Sequence, residues 1–265
     1  MQETVDLTAS IVTYKTPLKD LDKSINDLRS SLTSLFIVIV DNDSGESYFN
    51  QLKNRFNNFP NVKIVSSGKN AGYGHGHNFA MKNIPLSKYH LVLNADIEIE
   101  KESAQKIFKF IKNREDVGLV VPKILNPDGS LQALNKRNPT IVDMFLRFVS
   151  GVLGRFKIVQ KRLAYYEMHD LGYDSEIDVP YASGCFMLFR RKILESIGGF
   201  DDNFFMYLED ADITRRVAEV SRSVFYPDAR IVHNWSRGGH KSIKLILVTL
   251  HSMGIYFRKW GWRVF

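Results

Sequence analysis

The chain has 265 residues, 44% of them apolar, which is enough to bury the core of one large domain or of a domain with a small appendage. Lysine and arginine exceed aspartate and glutamate by 36 − 29 = 7, and the single cysteine, Cys185, excludes a disulfide framework. No run reaches about 18 uninterrupted apolar residues, and the first residues lack the pattern of a signal peptide. These features predict a globular protein of a reducing, cytoplasmic compartment with no membrane-spanning segment.

Short runs rich in β-branched residues alternate with amphipathic helices over the first 120 residues. The predicted strands are 9–13, 35–40, 62–65, 91–93 and 119–121. Apolar residues recur at helical spacing from Leu18 to Leu32 and from Ala104 to Ile111, as on the buried face of a helix. The alternation predicts an α/β fold with a doubly wound, mainly parallel sheet, whose ligands bind at the carboxyl ends of the strands.

Polar residues follow the first three predicted strands. Thr13 and Tyr14 come after the first, Asp41 ends the second, and the glycine-rich segment 70–78 follows the third. The first turn, 14–17, has no glycine, which excludes the dinucleotide fingerprint of dehydrogenases. Asp41 has two interpretations, as a helix cap or as a contact to a base or ribose.

The glycine-rich segment lacks the lysine and hydroxyl of a Walker loop and leaves two interpretations. It is either a tight loop that needs positive φ or a loop whose backbone approaches a diphosphate. Its two histidines, His75 and His77, could imitate a zinc-ligand pair, but the surrounding glycines favour a flexible lid.

The candidates for catalytic and cation-binding groups are carboxylates and one imidazole. Glu209, Asp210 and Asp212 lie in one segment that is otherwise apolar, Asp96 follows a buried strand, and His233 ends another strand. Acidic groups that can hold a cation, together with a separate proton acceptor, predict a cation-assisted transferase with its own general base.

The acidic segment is predicted to begin a helix near Glu209. Asp212 then lies three and four residues before Arg215 and Arg216, a spacing that predicts a structural ion pair. Asp210 lies about 200° away around the helix, so it is the better candidate for the base.

Several motifs occur in a fixed order along the chain: 12–14, 40–42, 70–74 with Asn78, 93–96, 184–187, 199–201, 205–212 and 227–233. This ordered set resembles the family 2 glycosyltransferases and, within them, the bacterial rhamnosyltransferase-like branch. The resemblance covers residues 8 to 240. It implies an A-type glycosyltransferase fold and an inverting transfer of a sugar from a nucleotide diphosphate to an acceptor hydroxyl.

The resemblance also implies roles for the residues at the strand ends. Three of them would hold the nucleoside: Thr13, Tyr14 and Asp41. Four more would line the other side of the donor: Asn70, Gly72, Gly74 and Asn78.

Asp96 matches the second acid of the family's Asp-x-Asp motif, which places Mg²⁺ or Mn²⁺ against the diphosphate. The first acid is replaced by Asn94, a weaker ligand or a ribose contact. His233 is expected to supply the missing metal ligand, and imidazole suits Mn²⁺ better than Mg²⁺. The alternative for His233 is a histidine whose hydrogen bonds are satisfied within a turn.

On the acceptor side, inversion needs a base, and Asp210 matches the family's position for it. Glu209 is expected to orient Asp210 or to bind the acceptor, and Ser183 and Gly184 belong to a segment that resembles the acceptor-facing one. Cys185 is expected to be a core residue, because inversion needs no covalent intermediate.

The branch resemblance favours dTDP-L-rhamnose as donor, with UDP-galactofuranose or another UDP-hexose as the alternative. The implied acceptor is a lipid-linked O-antigen or other cell-wall glycan. A nucleotidyltransferase would show a glycine-rich and basic phosphate loop after the first strand, and a non-catalytic sugar-nucleotide-binding module would have lost the base. Both remain as alternative hypotheses.

The predicted organisation is a catalytic domain, 1–240, followed by a basic amphipathic helix, 241–265. Residues 1–120 form the nucleotide-sugar half of that domain and 121–240 the half with the acceptor site and base. Residues 236–265 carry six basic residues and no acid, and Trp260 and Trp262 lie among them. This composition predicts an anchor on an anionic membrane surface, with a helix packed on the catalytic domain as the alternative.

A second stretch, 135–163, also interleaves basic with aromatic and aliphatic residues. Such a stretch can face a membrane, water or nucleic acid, but no nucleic-acid-binding motif accompanies it. The sequence therefore predicts a peripheral protein on the cytoplasmic face of the inner membrane that does not bind nucleic acid.

Overall fold

The protein is seen in a computed structural model that describes residues 5–234 and 243–265. Its strands are β1 Val5–Thr13, β2 Leu35–Asp41, β3 Val62–Ser66, β4 Ser87–Leu93, β5 Ile97–Ile99, β6 Val117–Leu125, β7 Ile177–Asp178, β8 Phe186–Arg190 and β9 Arg222–His233. Its helices are α1 Leu18–Ser31, α2 Glu46–Phe56, α3 Tyr73–Met81, α4 Lys101–Asn113, α5 Ile141–Leu153, α6 Lys157–Tyr166, α7 Arg191–Ser196, α8 Glu209–Ala218 and α9 Ile243–Trp260.

All of these strands join one sheet in the order β3-β2-β1-β4-β8-β6-β9-β5, with β7 paired to β9. Six of them point the same way: β1, β2, β3, β4, β6 and β9. The predicted mainly parallel sheet is confirmed, and every predicted strand lies within an observed one. The sequence did not predict that β8 enters antiparallel between β4 and β6.

Helices cover both faces of the sheet, because alternate strand residues point to opposite sides. Ile37 and Ile39 of β2 face the core formed with α1, α2 and α4. Val38 and Val40 face Ala80 of α3, on the other side. Helices α7 and α8 cover the remainder of that second face. The predicted helices at 18–32 and 104–111 correspond to α1 and α4.

The prediction of a flexible lid at the glycine-rich segment was wrong, because Tyr73–Met81 forms helix α3. His77 is buried on it, and its Nδ1 is 2.6 Å from the hydroxyl of Ser10. Burial lowers the pKa of His77 well below its usual value. His75 instead lies 3.4 Å from Asp202, so the two histidines do not converge on a zinc site.

The C-terminal helix α9 packs on the catalytic part of the chain through Ser252, Tyr256 and Phe257. The residues after α9 return to α5, whose Ile141 N–H donates to the carbonyl of Arg263. The opposite face of α9 is exposed. Within residues 5–234 and 243–265, no helix is both long and apolar enough to cross a bilayer. The predicted boundary at 240/241 lies outside the described residues.

Candidate active site

The carboxyl ends of β1 and β2 lie side by side, with Thr13 opposite Asp41. The hydroxyl of Thr13 is 2.7 Å from that of Tyr48, whereas Tyr14 is 51% exposed at the rim. The buried Asp41 carboxylate accepts the Ser44 N–H at 3.2 Å and therefore stabilises its own turn. It does not cap α2, since that helix begins only at Glu46.

Gly72 lies where two loops touch. Its φ is +106°, and a Cβ there would be 2.1 Å from the carbonyl oxygen of Phe205, so only glycine fits. The next N–H, that of Tyr73, donates to the same oxygen at 3.0 Å. Asn42 reinforces the contact by donating to the Gly72 carbonyl at 2.9 Å, and the side chain of Asn70 accepts the Gly72 N–H. The positive-φ interpretation is therefore confirmed at Gly72.

Asn78 and Gly74 serve the segment that precedes the acidic helix. Both hydrogens of the Asn78 amide are used, one by the Phe200 carbonyl at 2.8 Å and one by Asp202 at 2.7 Å. A Cβ on Gly74 would be 2.8 Å from that of Phe200. We therefore assign these two residues to positioning 200–205, which differs from the donor contact predicted for them.

Asp96 and His233 meet because β5 and β9 pair antiparallel, with Ile97 opposite His233. The imidazole Nε2 is 3.4 Å from the Asp96 carboxylate, and it is buried without a hydrogen-bond partner among the described residues. The side-chain oxygen of Gln132 lies 3.1 Å from Nδ1, and its amide donates to the His233 carbonyl. Nδ1 then donates to Gln132, and Nε2, which faces Asp96, is the nitrogen that a metal ion would bind.

This pair fits a divalent cation. A carboxylate oxygen and an unpartnered imidazole nitrogen converge, and Asn94 follows β4 two residues earlier. Residues 5–234 and 243–265 contain no group of three or more histidine, cysteine or acidic side chains that could hold a metal. The two groups therefore match a site completed by substrate phosphate oxygens, the common arrangement for Mg²⁺.

Asp210 lies in the first turn of α8, facing the segment before β8. Its carboxylate accepts the Gly184 N–H at 3.1 Å, and its backbone carbonyl accepts from the Thr214 hydroxyl. The phenol of Tyr73 donates to the Gly184 carbonyl at 2.7 Å. Ser183 is partly exposed beside this contact. The structure thus brings Asp210, Ser183 and Gly184 together, as the sequence predicts.

The charges of both Asp210 and Asp96 act on the phenol of Tyr73. Burial raises the pKa of its phenol, and the charges of Asp210 and Asp96 raise it further. The same two carboxylates act on Cys185, whose pKa burial raises to about 12, so the thiol is an inert core residue. The Asn94 N–H donates to the Cys185 carbonyl at 2.9 Å, and the neighbouring Gly184 N–H donates to Asp210, so the segment that fits a cation and the candidate base adjoin through 184–185.

Glu209 differs from its neighbour because it is buried. Burial raises the pKa of the Glu209 carboxyl, and the charge of Asp210 raises it further. Its Oε2 has no hydrogen-bond partner among the described residues. Glu209 therefore keeps its proton to higher pH than an exposed glutamate does.

The residues before α8 hold an unusual backbone. Tyr207 and Leu208 have φ of +71° and +66°, a left-handed conformation that is rare for side chains of this size. Leu208 is buried, and the Ser252 hydroxyl of α9 donates to the Met206 carbonyl. The burial of Leu208 and the hydrogen bond from Ser252 thus hold the start of α8 in this strained conformation.

Asp212 forms the predicted structural ion pair, with Arg216 at 2.8 Å. Sequence reasoning missed its other two partners, Lys259 and Trp260 of α9. It also missed Gln132 and Asn42. Local spacing gives no signal for any of them, although Asn42 stood inside a matching motif.

Comparison with known proteins identifies the family of this chain. A family model described as glycosyl transferase family 2 matches residues 8–198. An N-acetylglucosaminyl-diphospho-decaprenol L-rhamnosyltransferase of Mycobacterium tuberculosis is 26% identical over 238 residues, covering 82% of this chain and 75% of that protein. Rhamnosyltransferase WbbL of Escherichia coli is 24% identical over 198 residues, covering 72% of this chain and 70% of that protein.

Two solved structures share the fold. GalNAc-T7 with UDP, GalNAc and Mn²⁺ superposes with a TM-score of 0.70 at 14% identity, covering 97% of this chain. The mannosyltransferase PcManGT of Pyrobaculum calidifontis with GDP-Man and Mn²⁺ gives 0.64 at 15%, also covering 97%. This chain spans only 48% and 64% of those two proteins. The chain therefore has the A-type fold and belongs to glycosyl transferase family 2, in a rhamnosyltransferase-like branch.

Proposed function

We propose that the protein is an inverting glycosyltransferase that moves L-rhamnose from dTDP-L-rhamnose to a hydroxyl of a lipid-linked cell-surface glycan, of O-antigen or cell-wall type. The observation that carries this proposal is the position of two groups on adjoining segments. Asp96 lies 3.4 Å from His233, and Asp210 accepts the N–H of Gly184, whose neighbour Cys185 accepts the N–H of Asn94. Both rhamnosyltransferase relatives support the donor, and the mycobacterial one has a lipid diphosphate in its name. UDP-galactofuranose or another UDP-hexose is the alternative donor.

The chemistry assigned to the chain's own residues is simple. Asp210 accepts the proton of the acceptor hydroxyl as that oxygen attacks the anomeric carbon on the face opposite the diphosphate. The Gly184 N–H keeps the carboxylate in place. Protonated Glu209 is available as a hydrogen-bond donor to acceptor oxygens. Thr13, Tyr14 and Asp41 are proposed to contact the nucleoside.

Mg²⁺ or Mn²⁺ bound at Asp96 and His233 would neutralise the charge that develops on the diphosphate leaving group. A thermal-shift screen of nucleotide sugars with each cation tests the donor assignment, because only a bound ligand raises the melting temperature. Donor hydrolysis assayed with and without acceptor separates transfer from nucleotidyl transfer and from simple binding.

Asp96→Ala is expected to weaken donor binding in the presence of Mn²⁺, and His233→Ala to weaken it less and in a cation-dependent way. Both changes remove a ligand from the same pair. Calorimetric titration of dTDP-L-rhamnose with and without Mn²⁺ measures this. Asp6→Ala, near the amino end of β1, is the matched control. Equal donor affinity of the wild type with and without the cation would remove the metal from the proposal.

We also propose that the protein docks on the cytoplasmic face of an anionic membrane. Leu247 and Leu250 on the outer face of α9 are 61% and 55% exposed, and Trp262 beyond the helix is 61% exposed. The inner face of α9 packs on the rest of the protein, as one of the two alternatives from the sequence expects. The docking proposal concerns its outer face. Each basic residue near such a surface contributes about 1 kcal/mol.

The double variant Leu247→Ser/Leu250→Ser is expected to reduce flotation with anionic liposomes, because it removes apolar area from the face proposed to enter the interface. Val220→Ser, at a site that is 56% exposed elsewhere, is the control. Flotation that is indifferent to anionic lipid, salt and both variants would contradict the docking proposal.

A further inference from the structure

A buried lysine lies beside the acceptor segment without an anionic partner. Lys136 is 5% exposed and exchanges both backbone hydrogen bonds with Tyr181, at 2.9 and 3.0 Å. Its Nζ lies 4.7 Å from the centroid of the Tyr181 ring. Across residues 5–234 and 243–265, no carboxylate forms an ion pair with it. A buried ammonium without a counter-ion is costly, which points to an anion supplied from outside.

Two further groups belong to the same cluster. The Tyr166 hydroxyl is buried, and the only described group that acts on it as a donor is the Arg147 guanidinium. The guanidinium of Arg147, on α5, lies 5.8 Å from the Tyr166 ring. Burial and the positive charge of Arg147 lower the pKa of Lys136 to about 8, against the opposing negative charges of Asp210 and Glu167. The two cations are thus neighbours on the side of the candidate base.

The cluster connects the base to an apolar surface. Tyr181 leads within three residues to Gly184, which donates to Asp210. In the other direction, α5 exposes Phe145, Phe148 and Val152, which share one face because they are three and four residues apart. Tyr166 and Tyr181 pack in one cluster with Met144 of α5, so the cluster lies between the segment that contacts Asp210 and the apolar stripe of α5.

We propose that Lys136, Arg147 and Tyr166 form a subsite for the diphosphate of the lipid-linked acceptor. The acceptor sugar then lies at Asp210, and the lipid chain leaves over the stripe of Phe145, Phe148 and Val152. This inference rests on the proposed function and specifies which part of the acceptor the enzyme recognises. Two adjacent cations and a phenol are suited to the oxygens of a diphosphate.

The test compares two acceptors that differ only in their anionic group. One is N-acetylglucosaminyl diphosphate with a short prenyl chain, and the other is an octyl N-acetylglucosaminide that has no phosphate. Lys136→Met keeps about the length of the side chain and removes its charge. Arg147→Gln removes the charge at an exposed position and keeps a shorter polar side chain. Lys161→Met, exposed on α6, is the matched control.

Lys136→Met and Arg147→Gln are each expected to raise the KM for the diphosphate acceptor at least about tenfold, the effect of one lost charge-assisted hydrogen bond. The KM for the octyl glycoside and the rate of donor hydrolysis are expected to stay within about twofold of the wild type, as they do for the control. Donor hydrolysis and the melting temperature report whether Lys136→Met is folded. If it is not, Arg147→Gln decides.

Equal increases in KM for both acceptors would overturn the subsite while leaving the proposed function intact. Failure of the wild type to transfer to either acceptor would overturn the proposed function and the subsite with it. Assays in neutral detergent and on phosphatidylglycerol vesicles distinguish the two sources of phosphate. A defect confined to the vesicles would assign the cations to lipid headgroups and overturn the inference.

Discussion

Asp210→Asn is expected to lower the rate of sugar transfer by about 10²–10⁴-fold, the usual effect of losing a general base, with donor affinity nearly unchanged. Asparagine has the same shape, and its side-chain oxygen can still accept the Gly184 N–H that now binds the carboxylate at 3.1 Å. The substitution therefore removes the proton acceptor and preserves the local structure. Single-turnover transfer and calorimetric donor binding measure the two quantities separately.

Asp174→Asn is the control, because this carboxylate is 91% exposed and has no proposed role in the reaction. It is expected to leave both quantities unchanged. An Asp210→Asn enzyme that kept more than about a tenth of the wild-type rate would show that Asp210 is not the base. The buried Glu209, whose pKa is raised, would then be the next candidate.

Asp212→Ala is expected to destabilise the fold by about 3–5 kcal/mol, the effect of breaking a buried ion pair from one side. The Asp212 side chain is fully buried, and its two oxygens serve Arg216 at 2.8 Å, Lys259 at 2.9 Å and Trp260 at 2.9 Å. Alanine leaves the Trp260 N–H without an acceptor, removes the carboxylate from Arg216 and leaves Lys259 only Asp201 at 2.8 Å, which loosens α9 from α8. Urea denaturation followed by tryptophan fluorescence measures the change in the free energy of unfolding.

Asp116→Ala is the matched control. Asp116 also bonds two cations, Arg114 at 3.0 Å and Arg222 at 2.8 Å, but the pair is exposed and water screens it. We expect a much smaller loss there. Similar losses for the two variants would contradict the assignment of Asp212 as the buried link between α8 and α9.

Features that depend on the local spacing of residues could be predicted from the sequence. Periodicity of apolar residues located the strands that end at Thr13 and Asp41 and the helices α1 and α4. Helical spacing predicted the ion pair of Asp212 with Arg216, since residues four apart on a helix are neighbours. The ordered motifs alone predicted the family.

The contacts between distant segments are seen only in the tertiary structure. The β8 strand enters between β4 and β6, and the pairing of β5 with β9 places His233 beside Asp96, 137 residues apart. The structural partners of Gly72 and Asn78, which lie at 200–205, could not be predicted for the same reason. Contacts of this kind depend on packing across the sheet, and the spacing of residues along the sequence does not predict them. The buried ammonium of Lys136 was invisible in the sequence, since a lysine is ordinarily found at the surface.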